Sequence, residues 1–166
     1  VWPTSLGEMQ ERQLGEIAAR ALRAIAITSG VGHVEIRYSE DGPRVLEAGI
    51  RPGGAYTVRA VEQLTGANTY QQLASLAADL SVKAPRHPRG AVLYGGVVYP
   101  RTGTLHAVSG VDVFTNLPGL LDLQILNEPG DAVCALPESA QPHFCYYLLR
   151  GPSRDAVVGL HHRIQS

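Results

Sequence analysis

The chain is poor in lysine, cysteine and aromatic residues. Of its 14 basic residues only Lys83 is a lysine, so chemistry that needs a side-chain amine has one candidate. The two cysteines, Cys134 and Cys145, lack the CxxC spacing of a zinc site. They could pair, but two buried free thiols are the expectation for a cytosolic chain. No stretch approaches the roughly 20 apolar residues of a membrane helix, and the opening residues do not read as a signal peptide. The formal net charge of −1 leaves no basic face to neutralise nucleic-acid phosphates. The expectation is a cytoplasmic protein that binds neither nucleic acid nor membrane.

What is present suits a folded domain. The 166 residues are 45% apolar and 17% charged, too apolar for a disordered chain. A chain of this length buries about two thirds of its unfolded surface, so no disulfide or metal staple is required for folding. It begins at Val1 and runs straight into a helix-start signal, and is expected to be a piece of something longer.

Ser5-x-x-Glu8 reads as a capping box. Leu14, Ile17, Ala18, Ala21, Leu22 and Ile25 follow at helical spacing, and Gly30 and Gly32 break the pattern. Residues 31–38 and 44–50 alternate apolar and polar and predict a hairpin. Residues 55–65 predict a helix stopped by Gly66, and Thr69 caps another over 70–80 that carries Leu73, Leu76, Ala77 and Leu80. Strands are expected at 91–99, 104–108, 121–126, 131–136 and 143–150, and a last helix follows Ser153. The fold class is α+β with mainly antiparallel sheet and flanking helices. The expected organisation is a lobe over residues 1–82, a proline-bearing linker at 83–90 and a strand-rich subdomain at 91–166 closed by a helix.

The hairpin carries the chemistry. A three-residue loop of Glu40, Asp41 and Gly42 puts Gly42 at the left-handed position of a type I turn with a bulge. Counting outward, Ser39 faces Pro43, Arg37 faces Val45 and Glu35 faces Glu47. His33, Glu35 and Arg37 then share a face with Val45, Glu47 and Gly49, while Val34, Ile36, Tyr38, Leu46, Ala48 and Ile50 form the core side. Two carboxylates directly opposed on neighbouring strands destabilise each other unless they are well solvated or a cation bridges them. Mg²⁺ is bound through one or two carboxylates plus substrate phosphates. Arg51 extends the same face and suits an anionic reacting group. The alternative is a merely solvated face.

The segment GVGHVEIRYSEDGPRVLEAGIRPGG, residues 30–54, resembles the closing segment of the ATP-grasp superfamily, in particular carboxylate–amine ligases of the L-amino acid ligase type. The later runs TGTLHAVSGVD, PGLLDLQILNEPGDAV and GPSRDAVVGLHHRI resemble the family's C-terminal end, in the right order. The resemblance implies the C-terminal portion of an ATP-grasp domain. It implies Glu35 and Glu47 as ligands of Mg²⁺ or Mn²⁺ held against ATP phosphates, and Arg51 as the catalytic cation at the acyl phosphate. Gly49 stands where the family usually has Asn, which removes one metal contact. Gly53 and Gly54 would let backbone N–H groups approach an anion, and Arg37 either reaches phosphate or pairs with a carboxylate. His33 either touches substrate or makes a structural hydrogen bond.

The implied reaction phosphorylates a carboxylate with ATP, and an amine then attacks the acyl phosphate to give an amide or peptide bond, ADP and phosphate. Its partners are ATP and small carboxylate and amine substrates. The family's phosphate-binding lysines, adenine hinge and glycine-rich lid are N-terminal elements that would precede Val1. The chain alone is therefore expected to be inactive and to associate, as a homodimer or with the missing N-terminal portion. The alternative is a non-catalytic ATP-grasp-like module kept for binding or assembly.

Overall fold

The computed structural model describes residues 1–139 and 141–165, which form two compact units. One comprises Thr4–Pro88; the other joins Val1–Pro3 to the chain from Arg89 onward.

In the first unit, α1 (Glu8–Ala24) packs on a two-stranded antiparallel ribbon of β1 (His33–Ser39) and β2 (Gly42–Gly49). The helix begins later than the Ser5 signal implies. Gly7 is the N-cap, and its N–H donates to Gln10 Oε1 at 2.9 Å, so glutamine closes the box one turn in. Glu8 and Glu11 occupy the first turn and Arg23 the last, complementing the helix dipole. Leu14, Ile17, Ala18, Ala21 and Leu22 are half-buried; Ile25 lies past the helix and is exposed. The helices α2 (Thr57–Thr65) and α3 (Thr69–Ala77) follow, with Gly66 ending α2. Asn68, not Thr69, caps α3: its Oδ1 accepts from the N–H groups of Tyr70 and Gln71 at 3.0 and 3.1 Å. The expected helix 70–80 stops at Ala77, which leaves Leu80 exposed.

The second unit is built on a three-stranded antiparallel sheet in the order β3 (Ala91–Val98), β7 (His143–Gly151), β5 (Leu120–Ile125). Trp2 adds a bridge to Val92 at the β3 edge. The expected strands 104–108 and 131–136 shrink to the two-residue pair β4 (Gly103–Thr104) and β6 (Ala132–Val133), and a short helix α4 (Val111–Thr115) lies between β4 and β5. The terminal helix α5 (Arg154–Gln165) packs on β3 and β7, and Ser153 Oγ accepts the N–H of Ala156 as its cap. The core consists of Ala91, Leu93, Leu117, Cys145, Tyr147, Leu149 and Val157. Both cysteines are free, but only Cys145 is buried; Cys134 is exposed.

Tyr147 is fully buried, and its hydroxyl lies 2.7 Å from His161 Nδ1 and 3.0 Å from Gln165 Nε2. The amide donates to the hydroxyl and the hydroxyl donates to Nδ1, which makes neutral His161 the matching form. Burial, then the neighbouring His162 charge, lowers the His161 pKa below its ordinary value. The folded state thus binds its proton less readily than the unfolded chain. This contribution is complete above the ordinary histidine range, about 6.5, and is lost as pH falls through the depressed folded value. Thermal melts at pH 7.5 and pH 5 should differ more for the wild type than for His161→Gln.

Candidate functional site

The hairpin pairs His33 with Gly49, Val34 with Ala48 and Glu35 with Glu47. Nearer the turn the register differs from the expectation. The loop has two residues, Glu40 and Asp41, and Ser39 pairs with Gly42 rather than Pro43. Gly42 has φ +92°, a left-handed value that glycine adopts without steric cost. Pro43 therefore faces Tyr38, Arg44 faces Arg37 and Val45 faces Ile36. A bulge then leaves Leu46 without a partner between the Val45 and Glu47 pairs, which restores the register. Two one-residue shifts cancel before Glu47.

Directly paired residues project to the same face of a ribbon, with Cβ atoms roughly 5 Å apart. Glu35 and Glu47 thus stand side by side, their side chains 51% and 55% exposed. Each carboxylate has one oxygen engaged. Arg51 Nη2 donates to Glu47 Oε1 at 2.9 Å, and His33 Nε2 donates to Glu35 Oε1 at 3.4 Å. Arg51 also donates through Nη1 to the Pro52 carbonyl at 3.2 Å, which fixes its guanidinium beside the turn.

Arg37 lies two residues from Glu35 on the same strand and face, roughly 7 Å along it, and is exposed. Val45, expected beside Glu47, instead pairs with Ile36. Its place opposite Arg37 is taken by Arg44, which a three-residue loop instead puts opposite Tyr38 on the other face. Two opposed guanidiniums at Arg37 and Arg44 offer donors to an anion beside the paired carboxylates, with Glu40 and Asp41 of the loop beyond them. On the expected core side, Val34, Ile36, Tyr38 and Ala48 are half-buried, but Leu46 and Ile50 are exposed.

The two turn glycines differ. Gly53 is buried, and a Cβ there would lie 2.6 Å from Thr57 Cγ2 and 3.1 Å from His33 Nδ1. Gly54 is exposed, and a Cβ there would meet nothing within 4 Å. The steric demand at Gly53 comes from His33 and the start of α2.

The donor set fits a hard divalent cation that completes its shell elsewhere. Among the described residues no group of three or more His, Cys, Asp or Glu could hold a metal, so no all-protein cage is formed. Two adjacent half-exposed carboxylates with arginine donors nearby match the pattern of Mg²⁺ held by one or two carboxylates plus phosphate oxygens and water.

No family model matches the chain. Among curated proteins it is 28% identical to human carnosine synthase 1 over 156 residues, 91% of this chain and 18% of that protein. It is 26% identical to an L-arginine-specific L-amino acid ligase of Bacillus subtilis over 141 residues, 78% of this chain and 33% of that one. The crystal structure of an L-amino acid ligase from Bacillus licheniformis superposes with a TM-score of 0.87 at 20% identity, covering 98% of this chain and 41% of that chain. In sequence and fold the chain is similar to ATP-grasp carboxylate–amine ligases. Its α+β fold, with antiparallel sheets and flanking helices, is the one these ligases carry. Another ATP-grasp neighbour, the biotin carboxylase domain of the Hydrogenobacter thermophilus 2-oxoglutarate carboxylase, was solved with MgADP, ADP and bicarbonate. It matches at a TM-score of 0.65 and 16% identity over 98% of this chain and 36% of that one. The chain thus spans only a fifth to a third of the two curated relatives. Its homologues are ATP-grasp ligases. Among the described residues no helix is long and apolar enough to cross a membrane.

Proposed function

We propose that this chain carries the metal-and-phosphate part of an ATP-dependent carboxylate–amine ligase site. The observation that supports this most is the pairing of Glu35 with Glu47, each with one oxygen engaged by a neighbouring donor. The remaining oxygens would hold Mg²⁺ or Mn²⁺, which neutralises charge between the nucleotide phosphates when bound. Arg37 and Arg44 would attract the phosphates. Arg51, hydrogen-bonded to Glu47, would stabilise the charge that develops as a substrate carboxylate becomes an acyl phosphate and as an amine attacks it. The product would be an amide or peptide bond. Substrates would be a small carboxylate and a small amine, by analogy with the carnosine synthase and L-amino acid ligase relatives.

The cation site can be tested without turnover. Titration of the chain with Mn²⁺, followed by water-proton relaxation, should give saturable binding that tightens with ADP. In Glu35→Gln the binding should weaken by at least about tenfold, because a direct ligand loses its charge. Equal binding by both proteins would end the ligase reading and leave a solvated hairpin face.

A further inference from the structure

We infer that His33 is a positioning residue for Glu35, seated in the turn that carries Arg51. This deepens the proposed function and rests on its cation site.

His33 opens β1, two residues before Glu35, so strand alternation puts both side chains on one face. The imidazole is 23% exposed, far less than the carboxylate it meets. Its Nε2 donates to Glu35 Oε1, which leaves Nδ1 on the opposite side of the ring, toward Gly53. A methyl group at Gly53 would lie 3.1 Å from Nδ1 and 2.6 Å from Thr57 Cγ2, contacts tighter than a side chain tolerates. Gly53 thus backs the ring, and the ring backs the carboxylate.

The arrangement mirrors the other side of the site. Arg51 takes Glu47 Oε1 just as His33 takes Glu35 Oε1. Each donor holds one oxygen and so orients the other, but the Arg51 guanidinium also brings a fixed positive charge that opposes a cation at Glu47. Both donors are anchored on the same turn, Arg51 by sequence and His33 by packing on Gly53. The turn therefore sets the direction of both carboxylates together. This also accounts for Gly53, whose missing side chain makes room for the ring.

Mn²⁺ relaxation titrations on the full chain test the inference, with thermal melts of the same preparations. His33→Ala should weaken Mn²⁺ binding about 10–100-fold, the typical cost of losing an outer-shell partner, while melting cooperatively near the wild-type temperature. His33→Gln retains a donor at the position of Nε2 and should recover most of the affinity, which a purely structural role would not require. Gly53→Ala should weaken binding by displacing the ring. Wild-type affinity in His33→Ala, alongside lost binding in Glu35→Gln, overturns the positioning role and leaves the cation site intact. If the wild type fails to bind Mn²⁺, or Glu35→Gln binds equally well, the cation site and this inference fall together.

Discussion

Leu149→Ala will destabilise the protein by about 2–5 kcal/mol, the range for deleting most of a buried leucine. Leu149 is fully buried in β7, the middle strand of its sheet, where it faces Leu93 of β3 on one side and Leu120 of β5 on the other. Strands on both flanks fix the backbone, so the space left by the side chain cannot collapse and its lining loses dispersion contacts. At roughly 2–4 °C per kcal/mol for a chain of this size, the melting temperature should fall by several degrees at least. Leu46→Ala provides the contrast. Its side chain is 64% exposed on a bulge, and truncation there should stay within about 0.5 kcal/mol. Similar losses for the two variants would contradict the burial of β7.

The same pair of leucines marks what the sequence reveals and what it hides. Residues 143–150 are apolar on both faces, a pattern that identifies a central strand wherever the rest of the chain lies, and β7 spans His143–Gly151. Leu46 sits in an alternating segment, where period two assigns a face but does not say whether anything covers it. The bulge is invisible for a related reason. Val45 and Leu46 are both apolar, so the pattern accepts either as the unpaired residue, and Arg44 opposite Arg37 emerges only from coordinates. Glu35 and Glu47 meet because the two-residue loop and the bulge offset each other, not because the loop has three residues. Near residue 110 local preference misleads in another way. Thr104, Val108, Val111 and Val113 favour strand, yet β4 ends at Thr104 and α4 begins at Val111. The caps fail by a single step, since Asn68 and Thr69 are both competent N-caps and only geometry chooses between them.

Glu47→Gln and Arg51→Ala should move cation affinity in opposite directions, although the two wild-type side chains form one ion pair. Glutamine at 47 keeps the shape but removes the negative charge of the proposed ligand. Its loss should reach or exceed the upper end of the roughly 10–100-fold that outer-shell partners cost, so that Mn²⁺ binding nearly disappears. Fold stability should hardly change, because an ion pair exposed to this degree contributes only about 0.2–1 kcal/mol. Alanine at 51 removes a positive charge that lies 2.9 Å from Glu47 and competes with the cation for that carboxylate. Two unit charges about 4 Å apart in water interact by about 1 kcal/mol, so free Mn²⁺ should bind several-fold more tightly. The Mn²⁺–ADP complex should bind more weakly, because the guanidinium proposed to meet phosphate is gone. Parallel titrations with Mn²⁺ alone and with Mn²⁺–ADP resolve the two effects. If Arg51→Ala weakens both affinities, Arg51 acts only as a brace for Glu47, and if it tightens both, only as a competing charge; either result withdraws its assignment to the reacting phosphate.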